Sequence, residues 1–180
     1  MKKFYLLMLA IGCQLLMEAQ STLKFFNNTM VGLLAGSSSS SWQLEAVNGL
    51  SYKTYSAGLG IGVDHYYYKT IPLFVDVRKN IFDRKETPFL YLDLGTNYPG
   101  KKDEVTTWQT SSYTSGLYYD FGLGYKWTLA KQFSVNASFG YSKKKYGNEL
   151  EYHYGGDVRA YPEKYEYSFQ RFTMKLGFGF

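Results

Sequence analysis

The chain has 180 residues, with 20 Lys and Arg against 15 Asp and Glu, and it is rich in Tyr (19), Phe (13) and Gly (18). A single cysteine excludes a disulfide framework, and together with only two histidines it argues against a structural zinc site. The formal net charge of +5 is ordinary and gives no sign of a nucleic-acid partner. Little proline and many aromatic residues are unlike a disordered chain, so the composition predicts one folded domain.

The first nineteen residues have the pattern of a secretory signal peptide. Two lysines precede an apolar stretch over 4–17, and a small residue, Ala19, follows it. We expect cleavage after Ala19, which leaves residues 20–180 as the mature domain. An alternative is lipidation at Cys13, but apolar residues continue past this cysteine, which favours cleavage.

In the rest of the chain the apolar residues occur at every second position, as in half-buried strands. No stretch approaches the 18 apolar residues of a transmembrane helix. The alternation predicts eight strands of about ten residues, the length of a tilted transmembrane strand. Asn48 and Gly49 are an alternative hairpin turn, but we favour a strand that continues to Tyr52 and a turn at Lys53 and Thr54. The six clearest strands cover 55–63, 71–77, 90–94, 117–127, 133–141 and 172–180, and two weaker ones cover 31–36 and 42–52.

Charged residues fall opposite the apolar stripe on these predicted strands. A soluble barrel such as a lipocalin turns its apolar face inward, whereas a membrane barrel turns it outward. Alternation alone fits both, but in the membrane case these charges would form a paired network inside the barrel. The network is predicted to contain Glu45, Asp64, Asp76, Arg78, Asp93, Asp120, Lys126 and Lys175. Glu45, Asp64 and Asp120 are expected toward the outer end, Arg78 and Lys126 toward the periplasm, and Lys175 and Asp76 between them.

Three features favour the membrane barrel. The polar face is rich in small residues, which suits a crowded interior. The connections alternate in length, and the two longest, 97–115 and 142–167, fall on the same side. Aromatic residues gather near the strand ends, as in membrane interfaces: Tyr52, Tyr55, Phe89, Trp127, Phe133 and Phe180 at one end, and Trp42, Tyr67, Tyr119 and Tyr141 at the other. The predicted fold is all-β: an eight-stranded antiparallel up-and-down transmembrane β-barrel with a lipid-facing apolar exterior and a polar interior filled with side chains.

Five segments carry a family resemblance: 17–20 at the end of the signal peptide, 55–64, 72–76, 88–95 and 175–180. The sequence resembles the small eight-stranded outer-membrane β-barrel proteins of Gram-negative bacteria and is particularly similar to the barrel-only proteins of the Bacteroidetes type. The resemblance implies a place in the cell outer membrane, in contact with outer-membrane lipid. It also implies that the insertion machinery recognises the C-terminal strand through Phe178 and Phe180.

Enzymatic and channel functions are the alternatives to a non-enzymatic barrel. The segment 58–62 lacks the spacing and the following helix of a dinucleotide loop, and no cofactor is expected. Some eight-stranded barrels modify lipid A with a His, a Ser and a carboxylate, but neither His65 nor His153 has a Ser two residues away on its own strand face. Eight strands leave an interior just wide enough for side chains, so we also expect no open pore.

The last long connection is dense in tyrosine. Residues 149–161 alternate across Gly155 and Gly156, which is a hairpin pattern. Tyrosine offers rigid contact area with a polar tip, so this hairpin is either a contact surface for an unidentified extracellular ligand or an extension of the barrel wall. The predicted contact residues are Tyr146, Tyr152, Tyr154, Tyr161 and Tyr165. The sequence thus predicts a non-enzymatic outer-membrane protein with an envelope-structural or surface-contact role through 97–115 and 142–167.

Overall fold

The computed structural model describes residues 23–36, 40–65, 69–100, 104–106, 109–130, 133–154, 158–159 and 163–180. The predicted signal peptide, Cys13, Tyr67 and Tyr161 lie outside these residues. The described part of the chain contains no helix long and apolar enough to cross a membrane. Its strands are β1 (Leu23–Ala35), β2 (Ser40–Tyr52), β3 (Tyr55–His65), β4 (Lys69–Asn80), β5 (Glu86–Pro99), β6 (Glu104–Val105), β7 (Gln109–Ala130), β8 (Phe133–Tyr154), β9 (Val158–Arg159) and β10 (Glu163–Gly179).

Eight of these strands close into a ring. They pair in the order β1, β2, β3, β4, β5, β7, β8 and β10, and β10 pairs with β1 to complete the circle. Every pairing is antiparallel. The short strands β6 and β9 attach to β7 and β8 outside the ring. The predicted eight-stranded up-and-down barrel is therefore confirmed.

The connections 53–54 and 81–85 lie at one end of the ring, which we call the turn end. The predicted turn after Tyr52 is present, and Lys53 adopts the left-handed conformation with φ of 52°. This is a conformation that non-glycine residues visit mainly in tight turns. The two strand ends that seal the ring also meet at the turn end, where Asn27 and Phe180 exchange backbone hydrogen bonds of 2.7 and 3.0 Å.

Several strands are longer than predicted, and the two predicted long loops are mostly strand. β1 begins at Leu23 rather than at residue 31, while β7 and β8 each have 22 residues. The predicted loops 97–115 and 142–167 were wrong in this respect, because β7, β8 and β10 continue to pair with one another there. In these segments the aromatic side chains of Tyr146 and Tyr167 lie on the face that continues the barrel interior. The outward apolar stripe that marks a membrane strand is therefore missing, although the backbone ladder continues.

The barrel is apolar outside and polar inside. Outward side chains such as Leu59, Leu123 and Met174 are more than half exposed, at 69%, 61% and 60%. Inward carboxylates such as Asp64 and Asp76 are completely buried. The face assignment predicted from the alternation is therefore correct. One aromatic residue was misplaced in the sequence analysis: Phe89 points inward and is buried, because it lies two residues before Tyr91 on the inner face of β5.

An apolar cluster fills the interior next to the charged residues. Met30, Val47, Phe74 and Tyr118 form it, each from a different strand and each at most 2% exposed. The rings of Phe74 and Tyr118 meet edge to face at a centroid distance of 5.3 Å. Gly60 faces the ring of Phe74, and a Cβ there would come within 2.2 Å of it. The small residue on β3 thus makes room for a large one on β4, and the interior is filled.

Candidate functional site

The central charged group of the interior is Lys175 on β10. Its Nζ lies 2.8 Å from Glu45 Oε2 and 2.9 Å from Asp120 Oδ2, and 3.4 Å from Asp93 Oδ2. All four side chains are almost completely buried. Charges are held away from water only when they are paired. Here one ammonium group forms ion pairs with three carboxylates from three other strands.

Strand register explains why the carboxylates gather at this point. Asp76, Asp93 and Asp120 lie directly opposite one another on the neighbouring strands β4, β5 and β7. Like charges at directly opposed positions destabilise a sheet. Two cations neutralise these acids. Lys175 contacts Asp93 and Asp120, and the Arg78 Nε lies 2.9 Å from Asp76 Oδ2.

Hydroxyl groups complete this central cluster. Tyr91 donates a 2.9 Å hydrogen bond to Asp120 Oδ1, and its oxygen lies 3.3 Å from that of Thr173. Tyr118 donates a 3.1 Å hydrogen bond to Glu45 Oε1. A carboxylate that accepts such a bond is held in one orientation, so Tyr91 and Tyr118 position these two acids.

A second ion pair lies beside this cluster and was missed in the sequence analysis. Lys144 on β8 is 1% exposed and binds Asp64, which also accepts a 2.5 Å hydrogen bond from Thr70. Lys144 falls within 142–167, which was predicted to be a surface connection, yet its side chain is buried inside the barrel. Residues 142–146 have no apolar stripe, so no sequence pattern shows which of them faces inward.

The inward charges balance once this residue is counted. Among the described residues, five carboxylates face the interior, and so do five basic side chains, of which the sequence analysis had assigned three. The two additional cations are Lys144 and Arg171, both buried. The acids are Glu45, Asp64, Asp76, Asp93 and Asp120, and the cations are Arg78, Lys126, Lys144, Arg171 and Lys175.

The predicted positions of the charges along the barrel axis need one correction. Glu45 and Asp120 contact Lys175 directly, so these three residues lie at one level of the barrel rather than at the outer end and the middle. Asp64 instead pairs with Lys144. Lys126 is half-buried near the turn end and makes no ion pair within the part of the chain that the structure describes.

At the end opposite the turns, three strands extend beyond the ring as a small sheet that is continuous with the barrel wall. β1 pairs with β10 only as far as Ala35 and Phe172, and β5 pairs with β7 only as far as Asn97 and Gly116. Pairing of β7 with β8 and of β8 with β10 continues past these points. We call the part formed by 109–115, 144–154 and 163–171 the projecting sheet.

A bulge in β7 marks the base of the projecting sheet. The register between β7 and β8 shifts between Ser115 and Tyr118, so one extra residue is inserted in β7. Because side chains alternate between faces, an extra residue reverses which side chains of β7 face inward. Gly116 lies in the bulge, where a Cβ would come within 2.4 Å of the Lys145 carbonyl oxygen.

Aromatic rings stack on one face of the projecting sheet. The ring of Tyr146 stacks on Tyr167 at 5.0 Å and on Phe169 at 5.5 Å. Tyr146 is only 5% exposed, so it supports this stack and is not an exposed contact residue as predicted. Tyr165 and Tyr167, at 45% and 40%, are the exposed rings on β10.

Polar groups surround these rings. The Tyr165 hydroxyl donates a 2.7 Å hydrogen bond to Glu163, and this bond raises the pKa of Tyr165. On the other face Lys145 Nζ lies 2.5 Å from Glu166, which lowers the pKa of the Glu166 carboxyl. Tyr152 is half-exposed near the end of β8.

Two further predicted residues of this region are only partly described. Tyr154 lies in β8, and its backbone pairs with Val158 of β9, in agreement with a hairpin. The structure does not describe the side chain of Tyr154. Tyr161, Gly155 and Gly156 lie outside the described residues altogether. The contact role of these tyrosines therefore stays a prediction.

The two histidines lie in different strands, and His65 is the one whose side chain the structure describes. His65 ends β3 on the exposed outer face, where its carbonyl oxygen accepts a hydrogen bond from the Ser41 hydroxyl. His153 lies in β8, and its side chain is outside the description. Within the described ranges no group of His, Cys, Asp and Glu is arranged to hold a metal ion.

The residues proposed as an insertion signal lie on the strand that closes the ring. Phe178 and Phe180 are 52% and 67% exposed on the outer face. Phe178 stacks on Phe133 of β8 at a centroid distance of 6.2 Å. Both therefore belong to the apolar exterior, and their recognition by insertion machinery stays a prediction.

Comparisons with known proteins show the class of the fold. No protein-family model matches the sequence, and no curated protein matches it. The chain is similar to the N-terminal β-barrel domain of Pseudomonas aeruginosa OprF, with a TM-score of 0.53 and 11% identity over 87% of this chain and 96% of that one. It is similar to Neisserial surface protein A with a TM-score of 0.53 and 13% identity over 87% and 97%. The fold is that of small outer-membrane β-barrels.

Proposed function

We propose that this chain is an integral outer-membrane protein that makes contacts outside the membrane through its projecting sheet. Its apolar exterior suits a hydrocarbon environment, in which only closed barrels and helices satisfy their backbone groups. Its likeness to two outer-membrane barrels supports the same location. The turn end then faces the periplasm, as short turns do in such barrels.

The proposals on export, family type, insertion and partners rest on the sequence. Residues 1–19 direct export and are removed near Ala19, and the mature barrel belongs to the Bacteroidetes-type proteins. β10 is the strand through which the insertion machinery recognises the chain, with Phe178 and Phe180 facing lipid. The protein carries no cofactor and has no nucleic-acid partner.

A non-enzymatic role is supported by the chemistry of the interior. The buried carboxylates are bound to Lys175, Arg78 and Lys144, which leaves them poorly suited to act as general bases. A nucleophile next to a histidine and a carboxylate is the arrangement that acyl transfer requires. His65, the histidine whose environment is described, faces outward instead.

A closed interior predicts that the protein does not conduct ions. Phe74 and Tyr118 fill the barrel, and Lys175 with its three carboxylates occupies the adjoining cross-section. Purified protein in planar bilayers is expected to give no stable current steps at any voltage that the bilayer withstands. Regular, reproducible steps of one size would contradict the closed interior and favour a channel.

The observation that carries the contact role is the projecting sheet. It extends the backbone ladder beyond the apolar exterior and presents exposed Tyr165 and Tyr167 on a stacked base of Tyr146 and Phe169. Rigid aromatic side chains bind partners at little entropic cost because few torsions must be fixed. A purely structural extension of the wall has no need for exposed rings.

The contact role predicts that the two exposed tyrosines are needed for binding. Gram-negative cells displaying the protein are tested for attachment to arrays of immobilised polysaccharides and extracellular proteins. We expect attachment to at least one class of probe, reduced about tenfold in the Tyr165→Ser/Tyr167→Ser double variant, a loss of about 1.4 kcal/mol. Ser168→Ala, on the other face of the same strand, is the matched control. Attachment no greater than that of cells without the protein would contradict the proposal.

A further inference from the structure

The turn end of the barrel contains an open cup with a volume of about 500 Å³. Its floor is formed by Phe26, Phe89 and Arg78 beneath the apolar cluster: the Arg78 guanidinium lies 5.6 Å from the centre of the Phe89 ring and 3.4 Å from the Met30 sulfur. The volume is in the range of ligand pockets. The cup is separate from the projecting sheet, which lies at the opposite end of the ring.

The walls of this cup are strongly basic. Among the described residues that line it, six have basic side chains and one, Asp83, has an acidic side chain. Of the six, only Arg78 makes an ion pair within the described residues, and that pair is with Asp76 above the floor. The cations are Lys24, Lys53, Arg78, Arg84, Lys85 and Lys126.

Lys126 is the cation that most needs explanation. It is half-buried on the inner face of β7, and the neighbouring charge that acts on it most strongly is another cation, Arg78. Arg78 is balanced by Asp76 and, deeper in the barrel, by Asp93 and Glu45, whereas no described carboxylate acts in the same way on Lys126. Like charges brought together in a partly desolvated site repel each other unless an anion lies between them.

We propose that this cup binds a phosphate group, entering from the periplasmic side of the membrane. Lys126 and Arg78 would contact it at the floor, and lysines at the rim, Lys24, Lys53 and Lys85, would attract it. Lysine is a common phosphate ligand because its ammonium group acts as a compact charge. Ser56 and Asn136 also line the cup, and the Ser56 hydroxyl group can supply a neutral hydrogen-bond donor.

The phosphate can come from two sources with the same chemistry. One is the headgroup of an anionic phospholipid in the inner leaflet, since the exposed aromatic rings of Tyr52, Tyr55 and Trp127 place the turn end near a membrane interface. The other is a soluble phosphorylated molecule of the periplasm. Both require the same cations, so one set of variants tests the site and the lipid composition tests the source.

The test uses the complete folded barrel in nanodiscs of zwitterionic lipid, titrated with inorganic pyrophosphate in a calorimeter. We expect saturable binding to one site, weakened at least tenfold by Lys126→Gln and reduced by added salt. Lys79→Gln is the matched control: Lys79 lies at the same end but points outward, with its Nζ 3.5 Å from the centre of the Tyr55 ring. Absence of saturable binding, or equal weakening by both variants, would overturn the proposal.

Two further measurements separate a binding lysine from a structural one and identify the source. Without ligand, Lys126→Gln is expected to raise the midpoint of unfolding because it removes the repulsion by Arg78, whereas a lysine that stabilises the fold would lower it. Nanodiscs that contain phosphatidylglycerol should weaken pyrophosphate binding if the natural ligand is a lipid headgroup. Unchanged binding in them assigns the site to a soluble phosphate, and a lowered midpoint for Lys126→Gln counts against any anion site.

Discussion

Replacing Lys175 by Met is expected to lower the free energy of unfolding by about 3–5 kcal/mol, because removing one partner of a buried ion pair leaves the other charge unpaired. Lys175 is the shared partner of Glu45, Asp93 and Asp120. Methionine keeps most of the length of the unbranched side chain, so the loss reports mainly the charge rather than a cavity. Urea unfolding in liposomes, followed by tryptophan fluorescence, measures the difference.

The matched control for this variant is Lys143→Met. Lys143 lies on the outer face of β8 opposite Gln170 and makes no ion pair within the described residues. We expect its unfolding midpoint to stay close to that of the unchanged protein. If both variants unfold at the same urea concentration, the interior charges are not held as pairs.

The second large effect is expected for Lys144→Met. Lys144 is the buried partner of Asp64, and Asp64 keeps only the hydrogen bond from Thr70 when the lysine is removed. The expected loss in the free energy of unfolding is about 3 kcal/mol or more. The same urea series measures it.

Its control is the neighbouring residue. Lys145 faces outward and its pair with Glu166 is exposed, so solvent screens the interaction and Lys145→Met is expected to change stability little. Two consecutive lysines should therefore give opposite outcomes. A loss for Lys145→Met as large as that for Lys144→Met would mean that the alternation of faces does not continue through 142–146.

The ring of eight strands could be predicted from the sequence because the membrane segments alternate strictly between apolar and polar residues. Residues 55–63, for example, place Leu59 outward and Gly60 inward, and this is how β3 is built. The turn after Tyr52 could also be predicted from the sequence, because the alternation is interrupted there. In these segments, whether a side chain faces inward follows from the odd or even position of its residue along the strand.

The partners of the charges could not be predicted in the same way. That Lys175 contacts Glu45, Asp93 and Asp120 depends on the stagger between strands, which the pattern within one strand does not contain. The alternation also gives no guide in 142–146, where no apolar stripe marks the outer face, so the inward position of Lys144 was not predicted. The bulge near Gly116 reverses the faces of β7 without a change in composition that would reveal it.

The position of Lys175 in the chain links charge neutralisation to the order of assembly. Lys175 lies on β10, the last of the ring strands in chain order, whereas its three carboxylate partners lie on β2, β5 and β7. Until β10 takes its place between β1 and β8, these acids lack the lysine with which they form ion pairs. An open intermediate would carry unpaired carboxylates into the bilayer at several kcal/mol each. Sealing of the seam and neutralisation of the interior are therefore one step, which makes insertion cooperative.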